Sequence, residues 1–287
     1  MEVATMEPET APERDTDGRS AGIDTDADSI VEGSLAAVGL GPGHDAGMTI
    51  RARETLEAVD QIVGYETYVE LLPESVRRSA DAVHATGMGT EVSRTETAVD
   101  RALDGASVAL VASGDPNVYA LGGLVLEILE SREIHPDRID FEVVPGVPAA
   151  QSSAARLGAP LVTDTVSISL SDHLTPLSDI ESRLRAVAPT GMVVVLYNPW
   201  SPNRAQNFQL ACDILSAHRD PETPVGIVRG AGRADERTHV TDLETLPELG
   251  ESDLLDMTST IVVGTERTRV WGDRLLTPRG YERKYDY

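Results

Sequence analysis

Four short apolar runs in this chain each stop at a turn bearing glycine or proline, and that punctuation limits the folds open to it. Leu35-Ala-Ala-Val-Gly-Leu40 runs into Gly41-Pro42-Gly43, and Val108 to Ala112 runs into Ser113-Gly-Asp-Pro116. Phe141 to Val144 ends at Pro145-Gly-Val-Pro148, and Met192 to Tyr197 ends at Asn198-Pro199. Runs of this length and composition read as buried strands. Helical patterns lie between them. Thr49 is placed to cap a helix with a stripe of Leu56, Val59 and Val63. Ser93 with Glu96, and Ser178 with Glu181, give the S-x-x-E pattern of a capping box; Gly105 supplies a helix stop after Val99, Ala102 and Leu103. Leu121 to Leu129, Ala149 to Leu157, and the segment holding Phe208, Ala211, Cys212 and Leu215 also read as helices. Val166, Ile168 and Leu170 alternate with Ser167 and Ser169, as in a half-exposed strand, and Val225 to Val228 and Thr260 to Val263 add two strands. The alternation predicts an α/β protein with largely parallel sheets, in two domains over 35–147 and 148–287.

Charge narrows the function. The 287 residues carry 24 Lys+Arg against 48 Asp+Glu, a formal net charge of −24. That balance argues against a general binder of nucleic acid or anionic membrane, which would need many phosphate contacts from Lys and Arg. A local basic pocket stays open. Lys284 is the only lysine among the basic residues. An arginine-and-acid surface suits a halophilic source, where salt screens self-repulsion; an ordinary acidic protein from a GC-rich genome is the alternative. The single cysteine, Cys212, excludes an internal disulfide and a Cys-rich zinc site. No apolar stretch approaches the roughly 20 residues of a membrane span, and the acidic N-terminus lacks the apolar centre of a secretory signal, so the expectation is a soluble cytoplasmic protein. Residues 1–34 read as an acidic disordered extension. Its Asp24-Thr-Asp26-Ala-Asp28 run opens like a calcium loop but has Ser29 and Leu35 where glycine and glutamate are needed.

Chemistry concentrates where the apolar runs end. Gly41-Pro-Gly43 lacks the third glycine of the dinucleotide fingerprint, since His44 stands there, and Pro42 has no N–H for a phosphate. Asp115 sits where open α/β sheets bind ligands, and it serves equally as a turn or cap residue before Pro116. The small residues after Pro148 admit either a flat ligand or a neighbouring helix. Asn198 with Arg204, and Arg229-Gly-Ala-Gly-Arg233, are the remaining clusters; arginines pair well with carboxylates, whether of a ligand or of the acidic surface. No nucleophile triad or metal-binding histidine pair stands out, which leaves His173 and His239 as isolated proton-transfer groups.

In order and spacing, the G-P-G turn, the Gly114-Asp-Pro-Asn-Val-Tyr119 segment and the Pro145-Gly-Val-Pro-Ala-Ala150 helix start resemble the tetrapyrrole methylases. The resemblance covers residues 35–287. Gly87-Met-Gly-Thr-Glu-Val-Ser-Arg94, Leu170-Ser-Asp-His-Leu-Thr-Pro176, Tyr197-Asn-Pro199 and Thr277-Pro-Arg-Gly-Tyr281 are similar to one branch. That branch methylates C-17 of precorrin-3B or cobalt-factor III and contracts the ring, in cobalamin biosynthesis. Asn117 and Ala120 depart from glycines usual in the family. The resemblance implies two α/β domains, class III in type, with S-adenosylmethionine in the cleft between them. It implies a homodimer and a tetrapyrrole substrate, with or without cobalt. It places the cofactor against Pro42, Asp115, Val118, Pro148, Ala149, Asn198 and Ala231. Arg204, Arg229 and Arg233 are the expected substrate arginines, and Asp172, His173 and Tyr65 the candidates for proton transfer; no metal site is expected. Two rivals stay open: a methylase of the same family acting at another tetrapyrrole carbon or on a diphthamide precursor, and a non-catalytic scaffold.

Overall fold

A computed structural model describes residues 32–287. The acidic extension up to residue 31, with its aspartate run, lies outside the described residues. The chain then forms β1 (Gly33–Gly39), α1 (Ile50–Ala58), β2 (Gln61–Tyr65), α2 (Glu66–Glu70), α3 (Glu74–Ser79) and β3 (Ala82–Thr86). There follow α4 (Glu91–Leu103), β4 (Ser107–Ala112), α5 (Gly122–Ser131) and β5 (Ile139–Val144). The five strands make one sheet in the order β3-β2-β4-β1-β5, parallel throughout. Each central strand buries both faces. Ala36, Val38, Ala109 and Val111 pack towards Leu56 and Val76 of α1 and α3, while Leu35, Val108 and Leu110 pack towards Val99 of α4 and Ile128 of α5.

The second half runs α6 (Ala149–Leu157), β6 (Gly158–Ala159), β7 (Thr165–Ser169), α7 (Leu177–Val187), β8 (Val193–Tyr197) and α8 (Ala205–Ser216). It closes with β9 (Pro224–Arg229), β10 (Arg237–Asp242), β11 (Ser259–Val263), β12 (Arg269–Trp271) and β13 (Arg274–Leu276). The second sheet has the order β10-β9-β11-β8-β7, and here the expectation of largely parallel pairing fails. Only β7 with β8 is parallel; the other pairs are antiparallel. Strands β9 and β10 are joined by a short turn with no crossover helix, which permits only antiparallel pairing. Val194, Leu196 and Ile227 face α7 and α8, and Val193, Val195 and Val228 face α6.

Three local expectations need correction. Val63 belongs to β2 rather than to the stripe of α1, because the chain turns extended at Val59. Ser93 lies inside α4, which starts two residues earlier with Thr90 at its N-cap; the Ser93 hydroxyl donates back to the Thr90 carbonyl. Ser178 lies inside α7 after Pro176, whose fixed φ starts the helix, and Glu181 pairs with Arg185 instead of capping. The Thr49 cap and the Gly105 stop are as expected: the Thr49 hydroxyl accepts from Ala52 N–H at 3.1 Å, and Gly105 has φ +96°.

Candidate active site

The carboxyl ends of the parallel strands fall on one edge of the first sheet, and three of them are fused by glycine. A side chain on Gly146 would place its first carbon 2.0 Å from the Gly114 carbonyl oxygen, and one on Gly39 would stand 2.6 Å from the same atom. Gly41 and Gly114 exchange backbone hydrogen bonds of 3.1 and 2.9 Å across this junction. Asp115 binds it further. One carboxylate oxygen accepts from Asn117 N–H at 2.8 Å and the other from Gly146 N–H at 3.1 Å, with the residue 9% exposed. Asp115 is thus the turn residue, tying the end of β4 to the segment after β5.

Pro148 starts α6 between the two sheets, and a cavity opens on each side of it. The larger, about 580 Å³, is lined by Pro42, His44, Gln151, Arg156 and Arg233 among others. The smaller, about 300 Å³, is lined by Val118, Pro148, Leu161, Thr163, Ser167 and Tyr197 among others. Loops from the two sheets meet across the larger one: a Cβ on Gly232 would stand 2.8 Å from Pro42, and one on Gly43 3.2 Å from Arg233. Two non-glycine residues beside the smaller cavity have left-handed backbone, Tyr119 at φ +52° and Asn198 at φ +48°. Such strain in a tyrosine marks a position that its surroundings over-determine. Tyr119 donates its hydroxyl to the Ser167 carbonyl at 3.0 Å and lies 5.1 Å from the Tyr197 ring, while Tyr197 accepts from Ala150 N–H at 2.9 Å. Burial raises the pKa of both phenols, so they stay neutral donors and acceptors at physiological pH.

Residues 34–247 match the family described as Tetrapyrrole (Corrin/Porphyrin) Methylases. This chain belongs to the tetrapyrrole methylases. It is 39% identical over 249 residues to the probable cobalt-factor III C(17)-methyltransferase of Salmonella typhimurium, covering 86% of this chain and 99% of that relative. To the cobalt-factor III methyltransferase of Priestia megaterium it is 42% identical over 258 residues, 89% of this chain; it spans only 46% of that relative's length. The crystal structure of the methyltransferase CobJ superposes with a TM-score of 0.79 at 32% identity, covering 86% of this chain and all of that one.

In this methylase the seven expected cofactor residues divide into three kinds. Pro42 lines the larger cavity; Val118 and Pro148 line the smaller. Ala149 and Ala231 pack with Val118 in the cluster between α6 and the second sheet. Asp115 and Asn198 hold backbone and loops, the latter through its Nδ2 donating to Ser169 Oγ at 3.0 Å. The expected substrate arginines separate as sharply. Arg233 lines the larger cavity with no carboxylate in ion-pair range among the described residues. Arg204 donates to Ser171 Oγ, Ser201 Oγ and Met257 Sδ, again with no acid. Arg229 needs correction: it pairs with Asp256 at 2.7 Å and Asp235 at 3.5 Å and donates to the Asp253 carbonyl, so its guanidinium is spent within the protein. Tyr65, Asp172 and His173 line neither cavity. Tyr65 ends β2, while Asp172 and His173 stand in the loop after β7. Sequence reasoning passed over Thr163, whose hydroxyl is sealed from solvent without a partner at the smaller cavity, and over Gln151, which lines both. Nothing in their local patterns marks either residue; only the packing of α6 does.

Proposed function

We propose that this methylase transfers a methyl group from S-adenosylmethionine to C-17 of a precorrin-3B or cobalt-factor III type tetrapyrrole, with ring contraction, in cobalamin biosynthesis. The observation that carries the reading is the paired cavity at the start of α6. One side is lined by Val118, Leu161, Pro148 and Tyr197 among others, and the other bears Arg233, unpaired beside the Arg156–Glu236 ion pair. Both volumes lie in the range of small-molecule sites, roughly 300–1,000 Å³. The residues fit the cofactor. The apolar Val118, Pro148 and Leu161 suit its adenosyl group, Gln151, Thr165 and the partnerless Thr163 hydroxyl offer polar contacts, and Pro148 leaves the start of α6 without a side-chain cap. Bound there, the cofactor supplies a methyl group already activated by its sulfonium. The protein's work is alignment and exclusion of water. The glycine-fused junction at Gly39, Gly114 and Gly146 fixes the cleft floor, Tyr119 and Tyr197 close its far wall, and Arg233 and Arg204 hold carboxylate arms of the macrocycle. Asp172, His173 and Tyr65 remain the candidates for the proton movements of contraction. The protein acts as a soluble cytoplasmic homodimer under this reading.

The test is incubation of the pure protein with methyl-labelled S-adenosylmethionine and cobalt-factor III, followed by mass spectrometry. A labelled, ring-contracted product is expected. Cofactor binding without product from any C-17 substrate would move the activity to another tetrapyrrole carbon.

A further inference from the structure

We propose that Arg94, walled by Tyr65 and Tyr68, is a carboxylate post at the carboxyl ends of β2 and β3 that anchors one arm of the substrate and sets which edge of the macrocycle enters the cleft. The inference rests on the tetrapyrrole reading above.

Arg94 is 3% exposed, yet no carboxylate of the described residues lies in ion-pair range of it. Other arginines, such as Arg51, Arg132, Arg156, Arg229 and Arg237, find acids, and Arg219, also without one, has its guanidinium filled by four backbone carbonyls. The Arg94 Nε donates to Thr86 Oγ1 at 2.6 Å and its Nη2 to the Gly87 carbonyl at 2.8 Å. Its Nη1 has no partner among the described residues and is not sealed from solvent. Burial works against its charge and lowers its pKa. A buried cation held without an anion is costly, and an incoming carboxylate relieves that cost.

The surroundings suit a flat acid. The guanidinium carbon lies 5.6 Å from the Tyr65 ring centre, and the Tyr68 ring stands edge-on to Tyr65 at 5.1 Å. Tyr68 precedes Leu71 by one turn, and a Cβ on Gly43 would meet both the Leu71 side chain at 3.4 Å and Arg233 at 3.2 Å, so the post and the larger cavity are neighbours. Met88 and Val92, in the same short segment as Gly87 and Arg94, are 72% and 54% exposed. The 13-residue α4 starts here uncapped by any side chain, because the Thr90 hydroxyl donates to Gly87 instead, and its positive end favours an anion. Glu91 is the opposing charge: it acts on both Arg94 and Tyr68 without pairing with either.

The test uses the full chain and two probes, the fluorescent porphyrin octa-acid uroporphyrin and its octamethyl ester, alongside turnover of cobalt-factor III. Wild type should bind the acid and not the ester. Arg94→Gln should weaken acid binding and raise KM by about ten- to a hundredfold, leaving kcat and affinity for S-adenosylhomocysteine within about twofold. Arg94→Lys should fall between, since it keeps the charge but not the planar fork. Glu91→Gln should tighten acid binding several-fold. Native melting with unchanged acid binding and KM in Arg94→Gln would overturn the proposal. If that variant does not fold, Glu91→Gln decides, and no tightening there overturns it equally. Acid binding that depends on Arg94 without turnover of cobalt-factor III would support the post and sink the C-17 reading; turnover indifferent to Arg94 would do the reverse.

Discussion

The cleft edges of the two sheets are built from similar residues and put them to different use. On the first sheet every strand is parallel, so all five carboxyl ends deliver loops to one edge, and Arg94 waits there without an acid. On the second sheet the antiparallel turns of β9 with β10 and β11 bring acids back to the same edge for two arginines, while Arg204 and Arg233 there pair with none among the described residues. Arg229 meets Asp235 and Asp256, and Arg237 meets Asp253. The difference teaches that even with twice as many acids as bases, an arginine is paired only where the topology returns an acid to it, so what tells one arginine from another is its local partners.

The largest expected effect is at the glycine-fused junction of β1, β4 and β5. Asp115→Ala leaves Asn117 and Gly146 N–H groups without their acceptor, and should cost about 1–3 kcal/mol of stability. If that junction carries the cofactor cleft as proposed, S-adenosylhomocysteine affinity should also fall by about tenfold or more in the folded fraction, measured by calorimetry beside thermal melts. Affinity unchanged in folded protein would separate the junction from the cofactor.

Arg229→Gln breaks the contrast between the edges directly. It should lower the melting temperature by roughly 2–4 °C, through the lost partner of Asp256, and leave the KM for substrate unchanged. A raised KM with an unchanged melt would add Arg229 to the substrate arginines proposed for that edge.

A smaller effect follows from pH. Burial by itself raises the Asp256 carboxyl, but hydrogen bonds from Thr258 and Ser259, with the Arg229 charge, outweigh it and hold the pKa below the usual value. A depressed folded pKa gives stability that is present above the unfolded pKa, about 3.9, and lost as pH falls through the folded one. Asp256→Asn should therefore be less stable than wild type at pH 7, and the two denaturation curves should converge in acid. Curves that stay parallel down to acid would show that Asp256 contributes through packing alone.

The smallest effect is chemical. Burial in the second core pushes the Cys212 thiol up to about 12. A thiol reagent at pH 8 should find no reactive group in the native protein and one after denaturation. Reaction of the native protein would mean that the packing of α8 opens readily.

Much of the fold was legible because it follows from local chemistry. The apolar runs ending in Gly-Pro-Gly, Ser-Gly-Asp-Pro and Pro-Gly-Val-Pro are β1, β4 and β5, and α6 spans Ala149–Leu157 as its small residues indicate. Thr49 and Gly105 act where their side chains, or the lack of one, require. Strands β3 and β10 escape a sequence reading because Ala82–Thr86 and Arg237–Asp242 are partly exposed and mix polar with apolar residues, and β2 because Val63 continues the helical spacing of Leu56 and Val59. The capping boxes misled because Thr90 and Pro176, not serine, begin those helices.

The sequence by itself determined the buried strands that end in glycine and proline turns, most of the helices, the family to which they belong, and the clustering of chemistry at strand ends; these depend on neighbours along the chain. Tertiary structure alone decided that the second sheet turns antiparallel, that Asp115 is spent on backbone, and that Arg229 is paired while Arg94 is not. Each of those depends on which distant groups arrive within hydrogen-bond or ion-pair range, and spacing along a chain does not encode that distance.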